Sequence, residues 1–465
     1  MDICHRENYI GKFGDRRLDR RAGILSNQLY FGGSSAIHRI SLKEDLQRAA
    51  YRFLANEKVK EAILISSAIE KTSYLSADRN LLVIQDTTEI NLRNHHKRLQ
   101  PNTGLGPTGN NIDPGFFVHA SLVLDNQNLT MLGYSDIRLW HRQADKPGKR
   151  ERNYKSQSIE DKESGKWLKA ARHSKSHLSE ARSITFIEDR EGDIFEQFAC
   201  IPDQRTHLII RSRDNRNLCD GSKLFESLAA QPLAGSYEAD ILEDAAEGRV
   251  NRKALIGVKF CRVSIARPKR LSKFKLPGQV DMYAVEAREI DGPCSSEVLW
   301  RILTTHVVDD FASAVSIIDR YRHRWHIEQL FRVMKSQGFD IEGSELETGW
   351  AIRKLSIMIM NTAMRVMQLR LAYNKADSQP VEEVFEKEEI ACLREANERL
   401  QGDTAKMRNS NEASKLSWAT WVIARLGGWK PYDNRPPGPI ILKRGLDRFE
   451  LLMIGWKMAR RKDVS

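Results

Sequence analysis

The sequence predicts an α/β protein of the mixed, α+β kind: a sheet of parallel and antiparallel strands with helices packed on it, flanked by helical segments at both ends. Three observations lead there. Residues 1 to about 72 carry helical periodicity with few strand signals, the stretch from Leu81 turns to short apolar runs bounded by turn residues, and long amphipathic patterns return after Leu299.

In the first region, Asp15-Arg-Arg-Leu-Asp-Arg-Arg21 and Leu46 to Leu54 read as helices. Their arginines suit either solvent or a phosphate backbone. Leu81-Leu-Val-Ile-Gln-Asp86, Phe116 to Leu124 and Leu129 to Leu139 then read as strands, the last two joined through the turn-rich Asp125-Asn-Gln-Asn128. A helix from Glu163 to about Arg182 follows, and after it come strands at Ser183-Ile-Thr-Phe-Ile-Glu-Asp189 and Thr206-His-Leu-Ile-Ile-Arg211 with a helix between. Three meander strands followed by alternating helices and strands describe a mixed sheet, not an all-parallel one.

Residues 213 to about 299 hold short strand runs such as Ala254 to Phe260 and Gln279 to Val285, broken by basic clusters such as Arg267-Pro-Lys-Arg270; they read as a β-rich insertion. Leu299 to Thr305 returns to the main sheet. The expected domains are therefore a helical one over 1–72, a mixed α/β one over 73–372 with the insertion at about 213–299, and a helical one over 373–465. Leu355 to Ala372 is apolar but interrupted by Asn361, Arg365, Gln368 and Arg370, so it reads as a core helix and not a membrane span.

Composition narrows the partners. At 465 residues the chain can bury more than one core, and 74 Lys plus Arg against 62 acids give a formal charge of +12. That excess fits a polyanion: nucleic acid first, an anionic membrane surface second. The six cysteines show no C-x-x-C pair, which argues against zinc and for reduced thiols. No apolar run follows Met1-Asp-Ile-Cys-His-Arg6, so a location in the cytosol is expected. Gly104-Leu-Gly-Pro-Thr-Gly109 lacks the lysine of a nucleotide-binding loop, and His95-His96 cannot share a helical face to hold zinc. Asp193 is expected as a helix N-cap.

Chemistry concentrates in Tyr321 to Lys335. At about 100° per residue, one helix over this stretch puts Tyr321, Arg324, Glu328, Arg332 and Lys335 within roughly 80° of each other. Ile327, Leu330, Val333 and Met334 fall opposite. One carboxylate among cations and a phenol suits a site that grips a metal ion and phosphates together, although an amphipathic surface helix shows the same stripe. Asp86 and Asp189 each end an apolar strand run, where either alone is more often a turn former than a functional carboxylate. On neighbouring strands about 4.8 Å apart they could share a divalent cation, with Glu328 closing the cluster.

These residues together resemble the bacterial DDE transposases of the insertion-sequence-four family. Its signature runs Y, two residues, R, three residues, E, six residues, K, and Tyr321, Arg324, Glu328 and Lys335 meet it. The resemblance extends to Tyr51-Arg-Phe53, Ile84-Gln-Asp-Thr-Thr88, Glu163-Ser-Gly-Lys-Trp-Leu168, Ile187-Glu-Asp-Arg-Glu191 and Ile423-Ala-Arg-Leu-Gly-Gly428. It implies a ribonuclease H-like core in which Asp86, Asp189 and Glu328 hold two Mg²⁺ or Mn²⁺ ions, with phosphate contacts from Tyr321, Arg324 and Lys335. Arg332 stands where a relative has lysine. Trp300 aligns with a tryptophan that stacks a flipped base, Trp325 with a second aromatic and Arg211 with a DNA-contacting position, while packing or solvation are their ordinary roles.

The function so implied is cut-and-paste DNA transposition, with end nicking, hairpin formation and resolution, and strand transfer. Double-stranded DNA would be the partner, met at the element ends by the N-terminal domain. The C-terminal region, including Leu442 to Arg460, would support a homodimer on DNA. A nuclease that cuts without joining and a catalytically silent DNA-binding descendant are the rival readings.

Overall fold

Four helices come first in the computed structural model: α1 (Arg16–Gly32), α2 (Ile37–Ile40), α3 (Glu44–Ala55) and α4 (Glu61–Leu75). Asp15 starts α1 by accepting from the Arg17 amide, and Gly33, at φ 53°, ends it in the left-handed region that a side chain disfavours. The structure describes residues 9–41, 43–143, 157–241, 251–290, 297–335, 338–373, 375–431 and 436–462. Cys4, Cys294 and the opening residues through Arg6 therefore lie outside the described residues.

The middle of the chain builds the sheet: β1 (Asn80–Asn91), β2 (Gly106–Pro107), β3 (Pro114–Asp125), β4 (Met131–Trp140), α5 (Gly165–His177), β5 (Ser183–Glu188), α6 (Phe195–Cys200) and β6 (Thr206–Arg211). Next come α7 (Leu224–Ala229), β7 (Gly235–Ile241), β8 (Arg252–Ala266), β9 (Gln279–Ile290) and β10 (Leu299–Thr304). The rest is helical: α8 (Phe311–Arg322), α9 (Trp325–Met334), α10 (Gly349–Ala372), α11 (Lys387–Leu400), α12 (Leu416–Leu426) and α13 (Pro439–Lys462).

Among the described residues the strands form one mixed sheet in the order β2-β3-β1-β5-β6-β10-β9-β8-β7, with β4 also paired to β3. β1, β5 and β6 run parallel; the other pairings are antiparallel. The insertion thus extends the main sheet by three strands through β10. Its edge strand β7 alternates half-buried and exposed residues, a one-sided pattern too short to stand out in the sequence.

Helices cover both faces, which is why β1, β5 and β6 read as near-continuous apolar runs. Leu82, Ile84, Ile187 and Ile209 face α8, α9, α10 and the terminal helices in one core; Leu81, Val83, Phe186 and Leu208 face α5, α6 and α7 in another. The first core runs without interruption from Leu25 of α1 to Phe449 of α13. α10 lies at its centre, and its two buried arginines staple neighbouring elements: Arg353 to Glu61 of α4 at 2.7 Å, and Arg365 to Glu389 of α11 at 3.1 Å. No helix among the described residues is long and apolar enough to cross a membrane.

Candidate active site

Strand register places the two aspartates. Leu82 lies opposite Thr185 and Ile84 opposite Ile187 in the parallel β1–β5 pair, so two residues further along each chain Asp86 and Asp189 come level. Alternation then gives Asp86 the face of Leu82 and Ile84, and Asp189 that of Ile187, the side on which α9 packs. Gln85 and Glu188, one residue earlier, belong to the opposite face and are buried. There Gln197 of α6 donates to Glu188 Oε1 at 2.6 Å. Burial pushes the Glu188 carboxyl well above its ordinary range, against that hydrogen bond and with help from the Asp189 charge.

The helical segment does not run as the single rod that the stripe assumes. The amides of His323, Arg324, His326 and Ile327 each bond to the carbonyl three residues back, a tighter turn that separates α8 from α9. The helix also stops at Met334, leaving Lys335 with an extended backbone. This corrects the expected five-residue stripe. Tyr321, Arg324 and Glu328 converge on the strand ends. The exposed Arg332 folds back over the Trp325 ring at 4.9 Å, and Lys335 Nζ lies 3.6 Å from Glu342. Ile327, Leu330, Val333 and Met334 are all buried.

Arg324 sits among the carboxylates. Its Nη1 is 3.4 Å from Asp86 Oδ2, and its Nη2 donates to Glu328 Oε1. Asp86 Oδ1 also accepts from the Thr87 amide at 2.7 Å, while Asp189 Oδ1 accepts from the Glu191 amide at 2.8 Å and so caps the short 3₁₀ turn at Arg190–Gly192. Burial and the neighbouring Asp189, opposed by Arg324 and Thr87 and aided by Glu328, push the Asp86 carboxyl up to about 7. Burial works against the Arg324 charge, but Tyr321, Glu328, Asp86 and Asp189 outweigh it and hold the guanidinium protonated. Among the described residues no three His, Cys, Asp or Glu side chains stand so that they could hold a metal ion as they are.

The other predicted residues line the same end of the sheet or lie beside it. Tyr321 is buried, its phenol pushed up chiefly by burial, and its ring meets Trp300 of β10 edge-on at 5.5 Å. Arg211, at the end of β6, donates to the Leu299 carbonyl at 3.3 Å and lies close enough to Tyr321, Arg190 and Arg324 to feel their charges. Trp325 is exposed. Asp193 is not an N-cap: it accepts from the amides of Arg213 and Asp214 and pairs with Arg216, fixing the loop after β6. Its neighbours use up its oxygens.

Two nearby groups escape a reading of the sequence. Arg190 follows Asp189 directly but belongs to no helical stripe. His119 of β3 bonds to the Thr87 hydroxyl at 2.9 Å, on the face away from Asp86, and burial lowers its pKa so far that the ring stays neutral. Nothing in its local sequence marks it, because the pairing of β1 with β3 creates the contact.

A family model described as a transposase DDE domain matches residues 126–364, just over half of the chain; the span contains Asp189 and Glu328 and begins after Asp86. Among solved structures, a cryo-EM structure of the piggyBac transposase synaptic complex with hairpin DNA is similar at 8% identity and a TM-score of 0.28, over 62% of this chain and 52% of that one. The chain spans about half the length of that relative.

Proposed function

Since the chain belongs to the family of transposases with a DDE domain, we propose that it is a DNA transposase of the insertion-sequence-four type, cutting and joining DNA by phosphoryl transfer. One observation carries this reading: Asp86 and Asp189, far apart in sequence, come level at the ends of two central parallel strands, and Arg324 bridges Asp86 to Glu328 there. The order β4-β3-β1-β5-β6, antiparallel then parallel, supports a ribonuclease H-like core with a β-rich insertion. The flanking helices are assigned as an N-terminal DNA-binding domain over 1–72 and a C-terminal dimerisation domain over 373–465.

The carboxylates suit divalent ions in their chemistry. All three offer hard oxygen donors, and a divalent cation would offset the burial and the repulsion from Asp189 that raise Asp86. Asp86, Asp189 and Glu328 would hold Mg²⁺ or Mn²⁺, two ions in this class of chemistry, which supply activation of the attacking oxygen and charge stabilisation at the leaving oxygen.

The chain's own residues do the rest. Arg324, with its fork of donors, and Lys335, as a point charge, bind phosphates flanking the scissile bond, and the Tyr321 ring positions Arg324 beside them. Arg211 and Arg332 extend the cationic surface. Trp300 and Trp325 offer ring faces for a base displaced during the hairpin stage, a stack worth roughly 1–3 kcal/mol. The DNA substrate is the element's terminal repeats and then the target duplex, held by a homodimer formed on DNA.

The test is incubation of the protein with Mg²⁺ and its element's end DNA, followed by a denaturing gel. Nicked, hairpin and joined products are expected; cleavage that survives Glu328→Ala overturns the assignment. Strand transfer from a pre-cut end separates a transposase from a nuclease that only cuts.

A further inference from the structure

The proposed site contains its own stand-in cation. The Arg324 guanidinium touches Asp86 and Glu328 together and is drawn by Asp189 as well. A divalent ion held by those carboxylates would need the same oxygens and the same region of negative potential. Two cations cannot share it without strong repulsion, because like charges a few ångströms apart in a partly buried site are costly.

The guanidinium also has somewhere to go. Its side chain remains 19% exposed, it sits at the tight turn between α8 and α9, and among the described residues its ion pairs are the two carboxylate contacts, with the Tyr321 phenol beside it. A phosphate diester is a good alternative partner, since a planar fork of donors binds its oxygens bidentately. Arg211 lies beside Tyr321 and close enough to Arg324 and Arg190 to feel their charges, so a phosphate arriving there would meet further positive charge.

We propose that Arg324 is an electrostatic gate: in the DNA-free protein it neutralises Asp86 and Glu328 and resists divalent ions, and a DNA phosphate draws it off and opens the carboxylates to metal. Metal and DNA then bind with positive coupling. The coupling is reciprocal, so each ligand tightens the other by the same factor. This inference rests on the carboxylate site proposed above, and its consequence is that metal chemistry waits for substrate.

The experiment is Mn²⁺ binding by titration calorimetry and electron paramagnetic resonance, with and without a short duplex, at constant ionic strength. Wild type, Arg324→Gln, Arg324→Lys and Arg211→Ala are compared, with Glu328→Gln as the site control and circular dichroism to check folding. The wild-type protein is expected to bind Mn²⁺ about tenfold more tightly with DNA than without, inside the 5–150-fold span usual for coupled sites. Arg324→Gln should bind DNA-free Mn²⁺ about tenfold more tightly than wild type and lose most of the DNA enhancement. Arg324→Lys should fall between them.

Equal affinity in wild type and Arg324→Gln overturns the gate, as does an equal gain in Arg211→Ala, which would reduce the effect to bulk charge. Mn²⁺ binding unchanged by Glu328→Gln overturns the carboxylate site itself, a separate failure.

Discussion

Arg353 and Arg324 are both arginines paired with a carboxylate from a distant part of the chain, and they illustrate opposite uses of one interaction. Arg353 is buried in α10; its guanidinium meets Glu61 at 2.7 and 2.8 Å, and the carbonyls of Gly104 and Leu139 take further donors. Its donor set is matched by protein, and α4 is stapled to the sheet as a result. Arg324 has one contact at 3.4 Å to Asp86 and one to Glu328, at a break between helices and open to solvent on one side. A buried pair satisfied on all sides fixes a structure; a half-open pair over crowded carboxylates stores a choice.

The largest effect that probes this contrast is on chemistry. Glu328→Gln keeps the shape of the side chain but removes its charge, and DNA cleavage should fall at least about 10²-fold, the usual loss of one preorganised electrostatic contributor, while DNA binding by gel shift is retained. Parallel loss of binding would mean that Glu328 is structural, like Glu61. Next in size is Arg353→Met. Leaving Glu61 without its partner should lower stability by about 3 kcal/mol in chemical denaturation, and Mg²⁺ should not restore it.

Between these and the gate lies a pH effect. The Asp86 carboxyl ordinarily titrates at 3.8 and in the fold is pushed up to about 7, so the folded state holds the extra proton. Its contribution to stability is full below about pH 4, falls as pH rises toward 7 and is flat above, with a slope of at most about 1.4 kcal/mol per pH unit. Asp86→Asn should remove that fall from the difference between the two denaturation profiles in chelator; an unchanged difference would deny the crowding at Asp86. The smallest effect is Arg324→Gln, expected to cost about 1 kcal/mol in chelator because the pair is partly screened. Unlike the Arg353 loss, this one should be recovered with Mg²⁺.

How much of this is legible in the sequence follows from the range of each interaction. Asp86 and Asp189 announce themselves because each ends an apolar run, a local pattern. That they come level with each other is a matter of parallel pairing between segments a hundred residues apart, which no local pattern records. The apolar side of α9 reads correctly from its spacing, since Ile327, Leu330, Val333 and Met334 are all buried. The break at His323 and Arg324 does not, because neither proline nor glycine marks it; hence the ionic stripe looked longer than it is. Arg324 was legible as a phosphate-binding cation and illegible as a partner of Asp86, 238 residues away.

The pairing of β1 with β5 also sets a rule for length. Between Leu81 and Asp86 the pleat has a two-beat rhythm, and one residue more or less there would swing the aspartate toward α5, delivering to the space beneath α9 the Gln85 amide after an insertion or the Thr87 hydroxyl after a deletion. Loops elsewhere in the chain can be lengthened at modest entropic cost. These few positions cannot, because here counting residues is the same thing as aiming a carboxylate.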